Sequence, residues 1–312
     1  MKIAFLFPGQ GAQEPGMLHA LPDHPVVAST LAEAGEVLGE RVLDLDSAAA
    51  LASNRSVQLC LLVAGVACAR FLASQGCTPD MTLGLSIGAY PAAVTSGALA
   101  FPAAVALVDL RGRLMEEAFP SGFGMAAILG LDRYQVEALV SSVHRPGNPV
   151  FLANINSADQ MVISGCEPAM AAVMTLAMAA HARKTTRLAV SVPSHCSLFD
   201  AAAEEMLKAF AGVRLARPAV TYVSASSARA LFDPGRIAED LALNMARQVH
   251  WHDAAALAAE RGMALAIEMR PGSVLTPLTQ PVMSGTGEAL ALQNARLDTI
   301  LALARRIRRE DR

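Results

Sequence analysis

The sequence predicts an α/β protein built on a mostly parallel sheet and interrupted by a βαββαβ insert. Three observations predict it. Short apolar runs alternate with helix-length segments at both ends of the chain, the pattern of parallel strands covered on both faces. The middle of the chain changes rhythm to βαββαβ, a split βαβ or ferredoxin-like unit. With 312 residues, 53% hydrophobic and 17% charged, the chain has enough apolar mass for a large core.

Lys2–Phe7 reads as a buried strand that stops at Pro8-Gly9, and a Gly-rich loop runs on to Gly16. Pro25–Gly39 reads as a helix, and Ser56–Gln75 as a longer one, apolar on most faces and therefore buried. Met81–Leu85 is a short strand feeding a tight turn at a Gly-flanked serine. Ile87–Ser96 and Phe101–Ala118 read as helices, the second with Pro102 in its first turn. In the insert, Gly124–Leu129 reads as a strand and Asp132–Val143 as a helix capped by Asp132. Pro149–Ala153 and Gln160–Ser164 read as strands, Pro168–Ala180 as a helix and Lys184–Val190 as a strand. Breakers at Gly122 and Val192-Pro193 put the core at residues 1–121 and 191–312 and the insert at 122–190. Beyond it follow a helix (Leu198–Ala211), a strand (Ala219–Ser224), helices at Ile237–Arg247 and Asp253–Arg261, and a strand at Ala264–Met269. The loop Arg270–Ser273 opens a further helix.

Net charge is −3, and the one basic run, Arg305-Arg306-Ile307-Arg308-Arg309, is diluted by Glu310 and Asp311. It reads as a solvated helix end, so no nucleic-acid partner is expected. Lys2 is followed by only the five residues Ile3–Phe7 before Pro8, too few for a signal-peptide core. The apolar run Leu59–Ala69 is shorter than the ~20 residues of a bilayer span, so a soluble, cytoplasmic protein is expected. Five cysteines with no C-x-x-C pair suggest reduced thiols, and Cys196 stands out because it follows His195. No Walker loop, dinucleotide fingerprint or metal-ligand cluster occurs, so no metal and no resident cofactor are expected.

Gly84-Leu85-Ser86-Ile87-Gly88 matches G-x-S-x-G, with an apolar strand before it and a helix-forming run after it. That is the context of a nucleophile elbow, in which the serine is exposed on a strand-to-helix turn beside the Ile87 N–H. A serine hydroxyl needs a base. Of seven histidines, His195 is best placed, at a crossover loop that follows a strand and opens a helix; a satisfied loop histidine is the bland alternative. The glycines around Gln10 allow its N–H to turn inward as a second oxyanion donor, or merely mark a strand end. Arg111, in the apolar stretch Ala103–Gly112, is either a surface residue or a buried clamp for a carboxylate, and pattern alone favours the surface.

Taken together, these pieces resemble the malonyl-CoA:acyl-carrier-protein transacylases. The matching stretches are Phe7-Pro8-Gly9-Gln10-Gly11-Ala12-Gln13, Gly84-Leu85-Ser86-Ile87-Gly88-Ala89-Tyr90, Arg111-Gly112 and Ser191-Val192-Pro193-Ser194-His195. Near the end comes Glu268-Met269-Arg270-Pro271-Gly272-Ser273-Val274-Leu275-Thr276, like the family's E-x-G-P-G-x-V-L-T. The resemblance implies an α/β-hydrolase-like core with a ferredoxin-like subdomain inserted. It implies Ser86 as the acylated nucleophile and His195 as base and then acid. The N–H groups of Gln10 and Ile87 would form the oxyanion hole, and Arg111 would clamp the malonyl carboxylate. Asn244 stands where the family has a glutamine whose carbonyl orients the histidine, so a change of side chain there is expected to be harmless.

Two departures occur. Leu85 and Ala89 stand where the family usually has His and Glu. With Ala12–Leu18 and Asn244–Val249, this variant looks closest to the epsilon subunits of malonate decarboxylases, which load that complex's own acyl-carrier subunit. The expected partners are malonyl-CoA, an acyl carrier with a phosphopantetheine-type arm and other malonate decarboxylase subunits. The alternatives are a transacylase of fatty-acid or polyketide synthesis, a serine thioesterase or hydrolase, and a non-catalytic docking subunit.

Overall fold

The computed structural model describes every residue except 120, 284, 286, 311 and 312. Among the described residues the strands are β1 (Lys2–Phe7), β2 (Met81–Gly84), β3 (Phe123–Leu129), β4 (Val150–Ser157), β5 (Gln160–Cys166) and β6 (Lys184–Arg187). They continue with β7 (Thr221–Ser224), β8 (Arg229–Leu231), β9 (Val249–His250), β10 (Met263–Glu268) and β11 (Glu288–Ala291). The helices are α1 (Pro25–Leu38), α2 (Asn54–Ser74), α3 (Ala89–Thr95), α4 (Phe101–Ala118), α5 (Arg133–Val143) and α6 (Glu167–Ala179). After them come α7 (Asp200–Phe210), α8 (Pro234–Leu243), α9 (Trp251–Glu260), α10 (Leu275–Thr279) and α11 (Leu297–Glu310).

Ile3 to Phe7 are fully buried because β1 is central and helices cover both faces of its sheet. That sheet has the order β11-β10-β1-β2-β7-β8 and is parallel except for the β7–β8 hairpin. Parallel pairing brings the loops after β1, β2 and β10 out at one edge, where ligand sites of open α/β sheets lie. α2 lies against this sheet, its N-terminus capped by the Ser53 hydroxyl. It is long and apolar enough to cross a membrane, yet 89% of its most apolar window is buried inside the protein. This corrects the expectation that no such run exists; α2 is a core helix.

The second sheet has the order β6-β3-β5-β4-β9. β6, β3, β5 and β4 are mutually antiparallel, and α5 and α6 share a separate apolar core with them around Ile128, Val136, Ile163 and Val173. β9 joins β4 in parallel although it lies far along the chain, so this sheet is not made of residues 122–190 alone.

Three expectations are corrected. The strand expected over Lys184–Val190 ends at Arg187. The Arg187 guanidinium donates to the carbonyls of Leu188 (3.0 Å) and Val190 (3.2 Å), and to those of Phe123 (3.0 Å) and Met125 (2.6 Å). The chain therefore curls around its own arginine, with Gly124 leaving the room: a Cβ there would sit 1.8 Å from a guanidinium nitrogen. The helix expected over Ile237–Arg247 ends at Leu243 and gives way to the 3-10 turn Asn244–Ala246. The arginine-rich tail is not wholly solvated. Ile300, Ala304 and Ile307 of α11 face inward, and Arg308 bonds both Asp80 oxygens at 2.7 Å and the Thr78 carbonyl. Asp311 of that tail lies outside the described residues.

Candidate active site

The elbow forms because its glycines permit a close crossing. A Cβ on Gly84 would lie 2.0 Å from the Gly88 carbonyl, and one on Gly88 would lie 2.1 Å from the Phe7 carbonyl oxygen. Leu85 N–H donates to that oxygen at 3.0 Å, which ties the end of β2 to β1. Ser86 has φ 56°, the left-handed region that a non-glycine residue enters at a cost of order 1–3 kcal/mol. Ile87 follows in a 3-10 turn that leads into α3.

The loop after β1 touches the elbow directly. A Cβ on Gly9 would meet Leu85 Cδ2 at 2.7 Å and Ser86 Cβ at 3.4 Å, so only glycine lets Gln10 come this near the nucleophile. The Gln10 side chain is tethered by its Nε2 to Asn54 Oδ1 (2.5 Å) at the start of α2. Asn54 Nδ2 in turn reaches the Gly112 carbonyl at 3.4 Å. A side chain on Gly112 would lie 2.5 Å from Arg55 Cα, so this glycine sets how closely α4 approaches α2.

His195 is held by three main-chain carbonyls. Its own N–H donates to Met245 O at 2.7 Å. Its Nδ1 lies 3.0 Å from Asn244 O and 3.1 Å from Arg247 O. Carbonyl oxygens only accept, so Nδ1 carries the hydrogen and Nε2 presents its lone pair to Ser86 Oγ, 2.8 Å away. The 3-10 turn that ends α8 and Arg247 after it present these carbonyls to His195, Asn244 O also accepting the Arg247 N–H at 3.3 Å. His195 has φ 66°, a second left-handed non-glycine residue in one site. Burial, with the charge of Arg111, pushes its pKa down to about 4 against the pull of the two carbonyls, so the imidazole is neutral at pH 7.

Arg111 is fully buried, not a surface residue. Its Nη1 donates to Gln58 Oε1 and its Nη2 to Asn244 Oδ1 at 3.1 Å, while Nε has no partner. Both partners are neutral amides. Burial lowers its pKa to about 10, so it keeps its charge at neutral pH without a carboxylate beside it. An uncompensated buried cation is costly and creates a demand for an anion.

Glu268 explains the C-terminal motif. Fully buried at the end of β10, it accepts the N–H groups of Leu275 (2.9 Å) and Thr276 (2.7 Å) and the Thr276 hydroxyl (2.7 Å). This caps α10 and folds the intervening loop back so that Val274, 44% exposed, stands at the cleft.

Ser86 and His195 open on a cavity of about 330 Å³ between the two sheets, with Gln10, Leu85 and Val274 on one side. Met125, Ala127, Asn154, Asn156, Val162 and Arg187 of the smaller sheet form the other. The Oδ1 atoms of Asn154 and Asn156 are buried and unpartnered within the protein. A larger cavity, about 680 Å³, opens around Thr78, Val94 and Phe101, near the start of β2. Ser86 leaves the opposite end of β2, so the smaller cavity is the chemical one.

The structure thus places Ser86, His195 and Gln10 on one cavity; Ile87 follows Ser86 in the turn, and Asn244 and Arg111 lie behind His195 and outside the cavity lining. Sequence reasoning missed Gln58, Asn154, Asn156 and the Asn244 side chain. Gln58 left a signal, an amide inside an otherwise apolar stretch of α2; Asn154 and Asn156 left a weaker one, alternating on one face of β4. Cys196 is no rival nucleophile, because its thiol donates to Pro193 O at 3.1 Å and burial raises its pKa.

The model of the acyl transferase domain family matches residues 4–303. The malonyl CoA-acyl carrier protein transacylase of Escherichia coli K12 is 36% identical over 288 residues, 90% of this chain and 93% of that protein. The crystal structure of an acyl-carrier-protein S-malonyltransferase from Burkholderia pseudomallei superposes with a TM-score of 0.90. It is 34% identical, and the match covers 97% of this chain and all of that one. A malonyl-transacylase solved in complex with a type II PKS acyl-carrier protein gives 0.89 at 34% identity, over 97% and 99% of the two chains.

Proposed function

This chain belongs to the malonyl-CoA:acyl-carrier-protein transacylase family, and we propose that it moves a malonyl group from CoA through Ser86 to a carrier thiol. The observation that carries the reading is the Ser86–His195–Arg111 arrangement: a hydroxyl on a neutral imidazole, joined through Asn244 to a buried cation that lacks a carboxylate.

His195 Nε2 takes the Ser86 proton as Oγ attacks the thioester carbonyl. The N–H groups of Gln10 and Ile87 receive the oxyanion, where losing one donor typically costs roughly 3–4 kcal/mol. CoA leaves with the proton from His195. The carrier thiol then repeats the steps in reverse. Carbonyls rather than a carboxylate hold Nδ1, which fixes the tautomer and favours the imidazolium less than a carboxylate would. Arg111 pairs with the malonyl carboxylate, which an acetyl group cannot offer.

Residues 122–190 are read as a ferredoxin-like subdomain in an α/β-hydrolase-like core, supported by the order β6-β3-β5-β4. A cytoplasmic setting is part of the reading, supported by five free thiols. The relatives support a carrier of fatty-acid or polyketide synthesis better than one of malonate decarboxylase. The latter rests on Leu85, Ala89 and the flanking segments alone.

Intact mass after mixing with malonyl-CoA tests the nucleophile: the parent gains one malonyl group and Ser86→Ala gains none. Equal labelling of both would overturn the assignment. Offering two carriers, one with ordinary phosphopantetheine and one with the longer CoA-derived arm, separates the two carrier readings by which is loaded faster.

A further inference from the structure

Asn244 touches both halves of the site. Its main-chain oxygen holds His195 Nδ1 at 3.0 Å and its side-chain Oδ1 holds Arg111 Nη2 at 3.1 Å. The second contact is at odds with the expectation that the side chain here is immaterial. The residue is 1% exposed and sits in a 3-10 turn, so neither contact can loosen without disturbing the other.

Other groups around His195 are quiet. Ser86 faces Nε2, and the Cys196 thiol is committed to Pro193 O. The Arg247 guanidinium is turned away onto Asp200 at 3.0 Å, and only its carbonyl meets the ring. Arg111, from α4, is the charge that the imidazole senses. Its other amide partner, Gln58, spends its own N–H on the Met115 sulfur at 3.3 Å, a weak acceptor.

We propose that the Asn244 side chain is a positioning element that couples the anion clamp to the base, so that a carboxylate on Arg111 sharpens His195 and acyl selection acts on the acylation rate as well as on binding. The proposal rests on the malonyl-transfer reading and deepens it. With Arg111 unpaired, its charge opposes formation of the imidazolium that must develop as Ser86 attacks. A substrate carboxylate cancels that charge at the moment the proton moves. Acetyl-CoA leaves the opposition in place. Asn244 is suited to the link because a neutral amide orients the guanidinium without neutralising it; a carboxylate there would satisfy the clamp permanently.

The test is rapid-quench acylation of Ser86 by malonyl-CoA and by acetyl-CoA, read by intact mass over the acid range, in the parent, Asn244→Asp and Asn244→Ala. Both variants keep the main-chain oxygen. Asn244→Asp is expected to lower the malonyl-to-acetyl ratio of acylation rates by about tenfold or more, the scale of a coupling between sites. In the parent, the acid limb of the bound-state rate should lie at higher pH with malonyl-CoA than with acetyl-CoA. In Asn244→Asp the two limbs should coincide. Asn244→Ala, which frees the guanidinium without adding charge, should also lower the malonyl-to-acetyl ratio, and it decides the matter if the aspartate variant does not fold. A parallel fall of both donors, or an unchanged ratio with unmoved limbs, would overturn the coupling while leaving malonyl transfer standing. Failure of the parent to be malonylated on Ser86 would overturn both.

Discussion

The base should work in acid where an ordinary histidine fails. His195 is held to about 4 rather than 6.5, first by burial and then by Arg111. At about 1.36 kcal/mol per pH unit, that drop corresponds to ~3.4 kcal/mol against the imidazolium. Two consequences carry opposite practical signs. In the free enzyme the neutral imidazole persists down to about pH 4, so kcat/KM for malonyl-CoA should stay flat from neutrality to about pH 5 and break only below it. Folding stability behaves differently. Between 6.5 and about 4 the unfolded chain binds a proton that the native site refuses, so stability rises with pH there and is lost as pH falls. The loss approaches that same ~3.4 kcal/mol at the lower end. The assay is therefore a pH jump, with enzyme held at neutral pH and acylation followed by mass within the mixing time. Arg111→Gln removes the second cause but not the first, so its limb, measured with acetyl-CoA, should fall between 4 and 6.5. Urea melts of the parent and His195→Gln supply the stability half: the slope against pH in this window should be shallower in the variant. A parent limb at 6.5 or above would refute the reasoning.

Gly88→Ala should abolish the elbow, because its methyl would lie 2.1 Å from Phe7 O. Relieving that clash costs of order 1–3 kcal/mol, so thermal melting should fall and Ser86 malonylation with it; a normal rate would show that the crossing is slack. Glu268→Ala should cost roughly 2–4 kcal/mol by stranding one buried and one part-buried N–H group at α10, checked by denaturant unfolding. It should also weaken substrate use through Val274, and unchanged stability would refute its capping role.

The alternation of the parallel core was readable because buried strands such as Ile3–Phe7 are continuously apolar and their helices are long and periodic. The helices and most strands between residues 122 and 187 were readable for the same reason, down to the Asp132 cap, where the Asp132 and Gln135 side chains complete a capping box. Elements held by single long-range contacts left no such trace. β9 has two residues and exists because β4 pairs with it. β11, Glu-Ala-Leu-Ala, has the composition of a helix and is a strand because the edge of β10 awaits it. Arg187 ended a strand through carbonyls 62 and 64 residues away. At the site, Ser86 and its glycines are local in sequence and were legible. Arg111 was ambiguous from periodicity, since no pattern distinguishes a buried guanidinium served by two amides from one in water. The Asn244 side chain was discounted because the backbone role attributed to that position explained it without remainder.

The segment 244–250 has a grip at each end. Its first residues hold His195 through carbonyls. Its last residues form β9, and Gln248 Nε2 also bonds Leu152 O at 2.7 Å, both on the smaller sheet. The width of the cleft and the aim of the imidazole are thus set by one seven-residue strut. The contacts that hold the smaller sheet beside the cleft and those that keep Nε2 on Ser86 thus belong to one stretch of backbone. One short segment therefore answers to both the space between the sheets and the 2.8 Å contact between Nε2 and Oγ.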